Sequence, residues 1–280
     1  MNQSKIRGRT GRIVVGIIMW VLLILFVIPF FIVVIDSLKT TGEIMGNPLS
    51  LPSKATFDNF TTAFTTMNYP SAFLNTLLIT VISVALICLL SCMTAYFLVR
   101  TKSKISAIIF MALVIGMMVP FQAIMIPLVS IYGGLGILSS RITLIYMYCG
   151  FGCGMAVFIF HGFIKSSVPV SLEEAAKIDG ANMLQVFFLI VLPLLKPVIA
   201  TIAVLDVLWI WNDYLLPSLV LTQPNQLTLP LSTYAFSGTM SVNFGPLIAA
   251  LLLTIIPVLV IYIVLQKYII EGIVAGAVKN

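Results

Sequence analysis

From Ile13 to Ile35 the chain runs for twenty-three residues without a charged side chain. At about 1.5 Å of rise per residue, a helix of this length covers the roughly 30 Å of hydrocarbon in a bilayer. The stretch is too long for a signal-peptide core, and no small-residue cleavage site follows it. It is expected to be a retained first span. Similar stretches recur, giving expected spans at about 13–35, 72–99, 106–132, 141–164, 197–220 and 245–266. Backbone facing lipid must satisfy its own hydrogen bonds, so each is expected to be helical. Only 9% of residues are charged, against about 25% in a soluble domain. The expected fold class is an all-α integral membrane protein with about six transmembrane helices.

The net charge of +6 follows topology rather than nucleic-acid binding. Lys5, Arg7, Arg9 and Arg12 precede the first span, and Arg100, Lys102 and Lys104 lie between the second and third. Lys165, Lys177 and Lys196 sit in or beside a polar island after the fourth, and Lys267 and Lys279 in the tail. The alternate connections hold only Lys39, Lys54 and Arg141. The positive-inside rule then puts both termini and the island in the cytoplasm. Residues 1–12 are expected to be a cytoplasmic N-terminal segment, 13–266 one membrane domain with a polar loop at 165–196, and 267–280 a cytoplasmic tail. The outer connections, Asp36 to Ser71 and Leu221 to Asn243, are rich in turn-forming residues such as Pro48, Pro52 and Gln223-Pro224-Asn225.

Several residues within the apolar stretches stand out. Pro120 and Pro127 each remove a helix hydrogen bond and bend the third. Gln122 lies between them, near the expected midplane. Such a kink either shapes helix packing or exposes freed carbonyls to a solute pathway. In the fourth, Gly150, Gly152 and Gly154 include a Gly-x-x-x-Gly spacing that lets two helix backbones approach closely. It is no nucleotide fingerprint, since no strand precedes it. His161, the single histidine, is either an interfacial side chain or a proton relay. Cys88 and Cys92, like Cys149 and Cys153, are four apart within apolar runs. Two thiols are too few for a metal site, so packing is expected and no metal.

The polar island is Ser171 to Pro193, SLEEAAKIDGANMLQVFFLIVLP. Ser171 and Glu174 have the spacing of a capping box. Gly180 is placed to end a short helix in the left-handed conformation, and Asn182 to cap a second that stops at Pro193. The expectation is a helix, a sharp turn and a second helix on the cytoplasmic face. Ala175 and Ala176 would leave a shallow surface for another protein's backbone.

Glu174-Ala175-Ala176, Gly180 and Ile190-x-Leu192-Pro193 resemble the EAA loop of ABC-importer permeases. Three residues separate Ala176 from Gly180, and nine separate Gly180 from Ile190, as in that family. Trp211-Asn212-Asp213-Tyr214 after Trp209, Ser37-Leu38-Lys39, and the tail Gly272 to Lys279 look like segments of carbohydrate-importer permeases. The chain resembles the shorter of the two permeases of maltose-type importers, though it ends in Asn280 rather than glycine. The resemblance implies that Glu174, Ala175, Ala176 and Gly180 couple transport to an ATPase. It also implies a second permease forming a heterodimer, two ATPase subunits that bind ATP and Mg, an extracytoplasmic solute-binding protein and a carbohydrate substrate, expected to be an oligosaccharide. No cofactor is expected in this chain, and the implied location is a bacterial cell membrane.

The fifth stretch carries chemistry of its own. Asp206 lies nine residues past Pro197, about 13 Å deep at 1.5 Å per residue. A carboxylate there must face a cavity or a partner. Asp213 falls seven residues later, two turns on and so expected on nearly the same helix face, with Trp209 between. Aromatic faces and polar acceptors suit a sugar. Gln122, Asp206, Trp209, Asn212 and Asp213 are therefore candidates for the substrate pathway, or else glue between permease subunits.

The chain lacks a Gly-x-x-x-x-Gly-Lys-Ser/Thr loop, so ATP chemistry must come from other chains. No nucleophile–base or carboxylate pair points to catalysis. A secondary transporter or channel for a small polar solute is the alternative; it would need ion-coupling residues on several spans, whereas intramembrane acids are confined to the fifth.

Overall fold

The computed structural model describes residues 3–236 and 242–277, with side chains from Gly11 through Val264 and at Gln266. The helices are α1 (Gln3–Asp36), α2 (Thr41–Gly46), α3 (Asp58–Thr66), α4 (Tyr69–Arg100), α5 (Lys104–Met118), α6 (Phe121–Gly134) and α7 (Arg141–Ser167). They continue as α8 (Val170–Ile178), α9 (Met183–Val186), a π-helical turn at Phe187–Val191, α10 (Leu192–Leu194) and α11 (Lys196–Asn212). After these come α12 (Leu215–Val220), α13 (Leu229–Ser232) and α14 (Phe244–Ala277). The first and last long helices thus extend beyond the expected 13–35 and 245–266. Val278 and Lys279 of the tail motif lie outside the described residues.

Among the described residues, four helical segments are long and apolar enough to cross a membrane unbroken: Gly11–Asp36, Tyr69–Arg100, Arg141–Ser167 and Phe244–Val264. The other two expected spans are bent pairs. Lys104–Met118 and Phe121–Gly134 meet at 100°, so 106–132 is not one straight helix. Val119 is extended at ψ 119°, and Pro120 at ψ 133°. A proline disfavours helical geometry in the residue before it and offers no N–H of its own. Pro127, by contrast, is accommodated inside α6. Met183–Leu194 meets Lys196–Asn212 at 75°. The expected span 197–220 stops at Asn212, because the Asp213 carboxylate accepts the Leu215 N–H at 3.0 Å. Such local side-chain bonds compete with the helix ladder.

The chain divides into two compact units. One comprises the chain up to Tyr69 together with Thr233–Ile255. Within it the Lys39 ammonium, wholly buried, donates to Asp36 Oδ1 at 2.8 Å and to the Pro48 carbonyl at 2.9 Å. Asn59 Nδ2 donates to the carbonyls of Ser37 (2.8 Å) and Lys39 (2.7 Å). The Ser37-Leu38-Lys39 signature is thus a knot that folds the connection between α1 and α4 onto itself. Glu43 caps α2 with Thr40, and bonds from Ser53 and Thr40 hold its carboxyl down at about 2.

The other unit comprises Pro70–Ser232 and the chain from Ile256. Its core is shared by α4 (Ile79, Ile87, Cys92), α7 (Leu144, Phe160, Ile164) and α11 (Val198, Ile202). In the first turns of α4, Asn75 donates to the carbonyls of Asn225 (3.0 Å) and Leu227 (3.1 Å), and Arg141 donates to Asn75 at 2.8 Å. The Thr76 hydroxyl accepts the Leu229 N–H at 2.8 Å. The connection after α12 is therefore tied to the starts of α4 and α7. α5 approaches α7 closely at Gly154, where an added Cβ would lie 3.1 Å from the Leu113 carbonyl. Of the Gly150 and Gly154 pair only Gly154 makes the close approach that the spacing anticipates, since nothing lies within 4 Å of a Cβ built on Gly150.

Candidate functional site

The polar island folds as two helices around a sharp turn. α8 ends at Asp179, and Gly180 takes φ +86°. The Gly180 N–H donates to Lys177 O at 3.1 Å and the Ala181 N–H to Ala176 O at 2.9 Å. That pair of bonds is a Schellman motif, which satisfies the last carbonyls of the helix. Nothing lies within 4 Å of a Cβ built on Gly180, so the glycine is required by backbone angle rather than by space. Asn182 then caps α9 reciprocally with Gln185, through bonds of 2.9 and 2.8 Å. The second helix continues through the π turn past Pro193 to Leu194, one residue beyond the expected stop.

The helix start differs from expectation. Pro169 occupies the N-cap with no side-chain bond, so Ser171 lies inside the first turn and its capping box with Glu174 does not form. A long-range ion pair sets the start instead. Glu173 is 1% exposed. Its Oε1 accepts from Arg100 Nε at 2.8 Å and Nη2 at 2.5 Å, and its Oε2 from the Tyr96 hydroxyl at 2.9 Å. Arg100 Nη2 also donates to the Val168 carbonyl at 3.0 Å. Of the four coupling candidates, Glu174, Ala175 and Gly180 are exposed, whereas Ala176 is buried in its own chain. The shallow outer surface is therefore carried by Ala175 alone of the two alanines. Sequence reasoning missed Glu173, Arg100 and Tyr96. One signal was present: consecutive acids on a helix point about 100° apart, so Glu173 and Glu174 could not both face outward.

A cavity of about 640 Å³ lies in the unit formed by Pro70–Ser232. Its wall comes from α5 (Leu113, Met117), the start of α6 (Phe121, Gln122), Gly150 and Gly154 of α7 and the end of α11. Trp209 and Asp213 line it, as does Gln122. The Asp213 carboxylate is fixed on both oxygens, by the Leu215 N–H and by the buried Tyr148 hydroxyl at 2.9 Å. The Trp209 ring meets Tyr148 edge-on at 5.5 Å between centroids. Asp213 is not on the helical face of Asp206, because it has left the helix at ψ 129°.

The other two candidates lie outside the cavity wall. Asn212 is exposed and donates to the Leu208 carbonyl at 2.7 Å. Asp206 is half-buried, with Oδ2 enclosed and without a hydrogen-bond partner. The structure thus gathers Gln122, Trp209 and Asp213 and leaves Asp206 and Asn212 apart. It adds Tyr148, which no pattern in its apolar run distinguished. His161 stacks on Phe110 at 4.1 Å between ring centroids.

Comparison with known proteins agrees with this architecture. Residues 87–273 match the family described as binding-protein-dependent transport system inner membrane component. The chain is 44% identical over 260 residues to the probable starch degradation products transport system permease protein AmyC of Thermoanaerobacterium thermosulfurigenes, covering 93% of this chain and 94% of that protein. It is 38% identical over 259 residues to the multiple sugar-binding transport system permease protein MsmG of Streptococcus mutans, with coverages of 91% and 93%. It is 35% identical over 253 residues to the melibiose/raffinose/stachyose import permease protein MelC of Bacillus subtilis, with coverages of 90% and 91%. Among solved structures, a bacterial ABC transporter involved in the import of the acidic polysaccharide alginate shares the fold. The TM-score is 0.80 at 24% identity, covering 96% of this chain and 98% of that one. The chain therefore belongs to the binding-protein-dependent family of transport-system inner membrane components, as a multi-pass, helical permease.

Proposed function

We propose that this chain is a permease subunit of an ATP-driven importer of carbohydrate, of the oligosaccharide class. The observation that carries the substrate class is the cavity beside Trp209. Trp209, Asp213 and Gln122 line it together. A sugar presents apolar C–H faces to aromatics and hydroxyls to polar acceptors, and cavities of this size hold small molecules. The carbohydrate relatives support the same class.

In this reading the chain moves solute handed over by an extracytoplasmic binding protein and catalyses no reaction itself. Two separate ATPase subunits bind ATP and Mg. A second permease forms a heterodimer with this one and supplies the facing wall. The coupling surface is Glu174 and Ala175 on the outside of α8, with Ala176 seating the helix from within and Gly180 setting its end. The distribution of basic residues supports a cytoplasmic position for the loop and both termini, in a bacterial cell membrane.

The test is ATP-dependent uptake in vesicles containing the whole complex. Trp209→Ala and Asp213→Asn are expected to raise the sugar concentration giving half-maximal uptake by about ten-fold, the scale of one lost stacking or charge-assisted contact. Asp206→Asn, outside the cavity wall, is expected to leave that concentration unchanged. If Trp209→Ala and Asp213→Asn only lower the amount of assembled complex, the cavity is not the substrate site.

A further inference from the structure

Glu173 is a buried carboxylate that the coupling motif does not include. It precedes the exposed Glu174 by one residue and is turned about 100° from it, into its own chain. Four donor–acceptor contacts converge around it. Arg100 reaches Oε1 through both Nε and Nη2, the Tyr96 hydroxyl reaches Oε2, and Arg100 also holds the Val168 carbonyl just ahead of α8. Arg100 and Tyr96 are one turn apart at the end of α4. The guanidinium lies 5.9 Å over the Tyr96 ring, and that ring meets Phe187 of the π turn at 5.4 Å. One short stretch of α4 therefore grips the coupling loop twice, at the start of its first helix and within its second.

The chemistry of this grip is specific. Taking an ion pair out of water is costly, and an apolar pair of the same size often stabilises a fold as well or better. A planar guanidinium that brings two N–H donors onto one carboxylate oxygen, while the Tyr96 hydroxyl holds the other, fixes direction as well as distance. Such a tie resists rotation of α8 about α4, which an apolar contact would permit. It also leaves the outer face of α8, with Glu174 and Ala175, free to meet another surface.

We propose that Glu173, Arg100 and Tyr96 are positioning residues that form a rigid joint, through which displacement of the coupling helix moves α4. This rests on the proposal that α8 docks on an ATPase. Motion of the loop then reaches the core by two routes: through the bend into α11, and through this joint into α4. Since α4 forms much of the core with α7, the joint makes the helix packing respond to the loop as a unit.

The experiment uses the complete importer in vesicles, with Ala175→Cys as a cross-linking probe for the ATPase. Arg100→Gln and Glu173→Gln are each introduced. The expected result is an assembled complex that still cross-links and still hydrolyses ATP when loaded binding protein is present. Sugar moved per ATP should fall by about five-fold or more, the lower range of site-to-site coupling. Arg100→Lys, which keeps charge but loses the fork, should recover only part of that ratio. Tyr96→Phe removes one hydroxyl while keeping the ring against Phe187, and gives the same readout with a smaller loss in a chain that assembles normally. If sugar moved per ATP stays at the unsubstituted value in assembled complexes of these variants, the joint is only a structural tie and the proposal is wrong. If the unsubstituted complex fails to cross-link from Ala175→Cys, the docking reading falls and takes this proposal with it.

Discussion

Gly180 holds φ +86° with nothing near a prospective Cβ. A β-branched residue there costs about 1–2 kcal/mol of backbone strain and has no steric clash to relieve. Gly180→Val should therefore leave the chain in the membrane and assembled while uptake falls, because α8 ends at a different angle. Normal uptake by the assembled Gly180→Val complex would remove Gly180 from the coupling machinery. Lys39 presents the reverse situation, a side chain sealed among fixed acceptors. Lys39→Met leaves Asp36 buried at 6% side-chain exposure without its cation. Breaking one partner of a buried pair costs about 3–5 kcal/mol. The substituted complex is expected to unfold at lower temperature in detergent, with sugar affinity unchanged in what survives. An unchanged unfolding temperature would contradict the assigned pairing.

At the level of elements, local signals proved legible and long-range ones did not. The Gly180 turn and the Asn182 cap could be anticipated because both rest on residues within a few positions of each other. The Ser171 cap was misplaced because Arg100, 73 residues from Glu173, fixes the helix start. Pro120 announced a bend in the third span but not its 100°, which depends on how α6 packs after the break. Asp213 was assigned to a helix face by spacing. Its carboxylate ends that helix by binding the Leu215 N–H, a choice that period counting cannot register. The Gly154 contact yields a test at this scale. Gly154→Val must push on the Leu113 carbonyl at 3.1 Å and the Met117 side chain at 3.3 Å. Overpacking of this kind costs about 1–3 kcal/mol, so the α5–α7 pair should loosen and the protein become easier to proteolyse. Gly162→Ala, with open space around its Cβ, should not. Equal protease resistance in both would refute the close approach.

For the whole molecule, the first span is informative through what it leaves uncovered. The span Gly11–Asp36 buries none of its most apolar window within this chain, and Trp20 and Phe26 are 67% and 75% exposed. Such a surface suits lipid or a second membrane subunit. Purified alone and placed in vesicles, the chain is expected neither to hydrolyse ATP nor to move sugar. Robust flux from the lone chain would favour a secondary transporter or channel over an importer subunit.

The way the coupling loop is closed also sets an order of events during synthesis. Its Schellman turn and its second cap use residues no more than five positions apart, and contacts that local form soonest. The tie to α4 joins residues 73 apart and must await packing of the spans between. The hairpin is thus finished early and fastened late. By this contact-order argument the newly made chain closes its hairpin before its own bundle closes around Arg100.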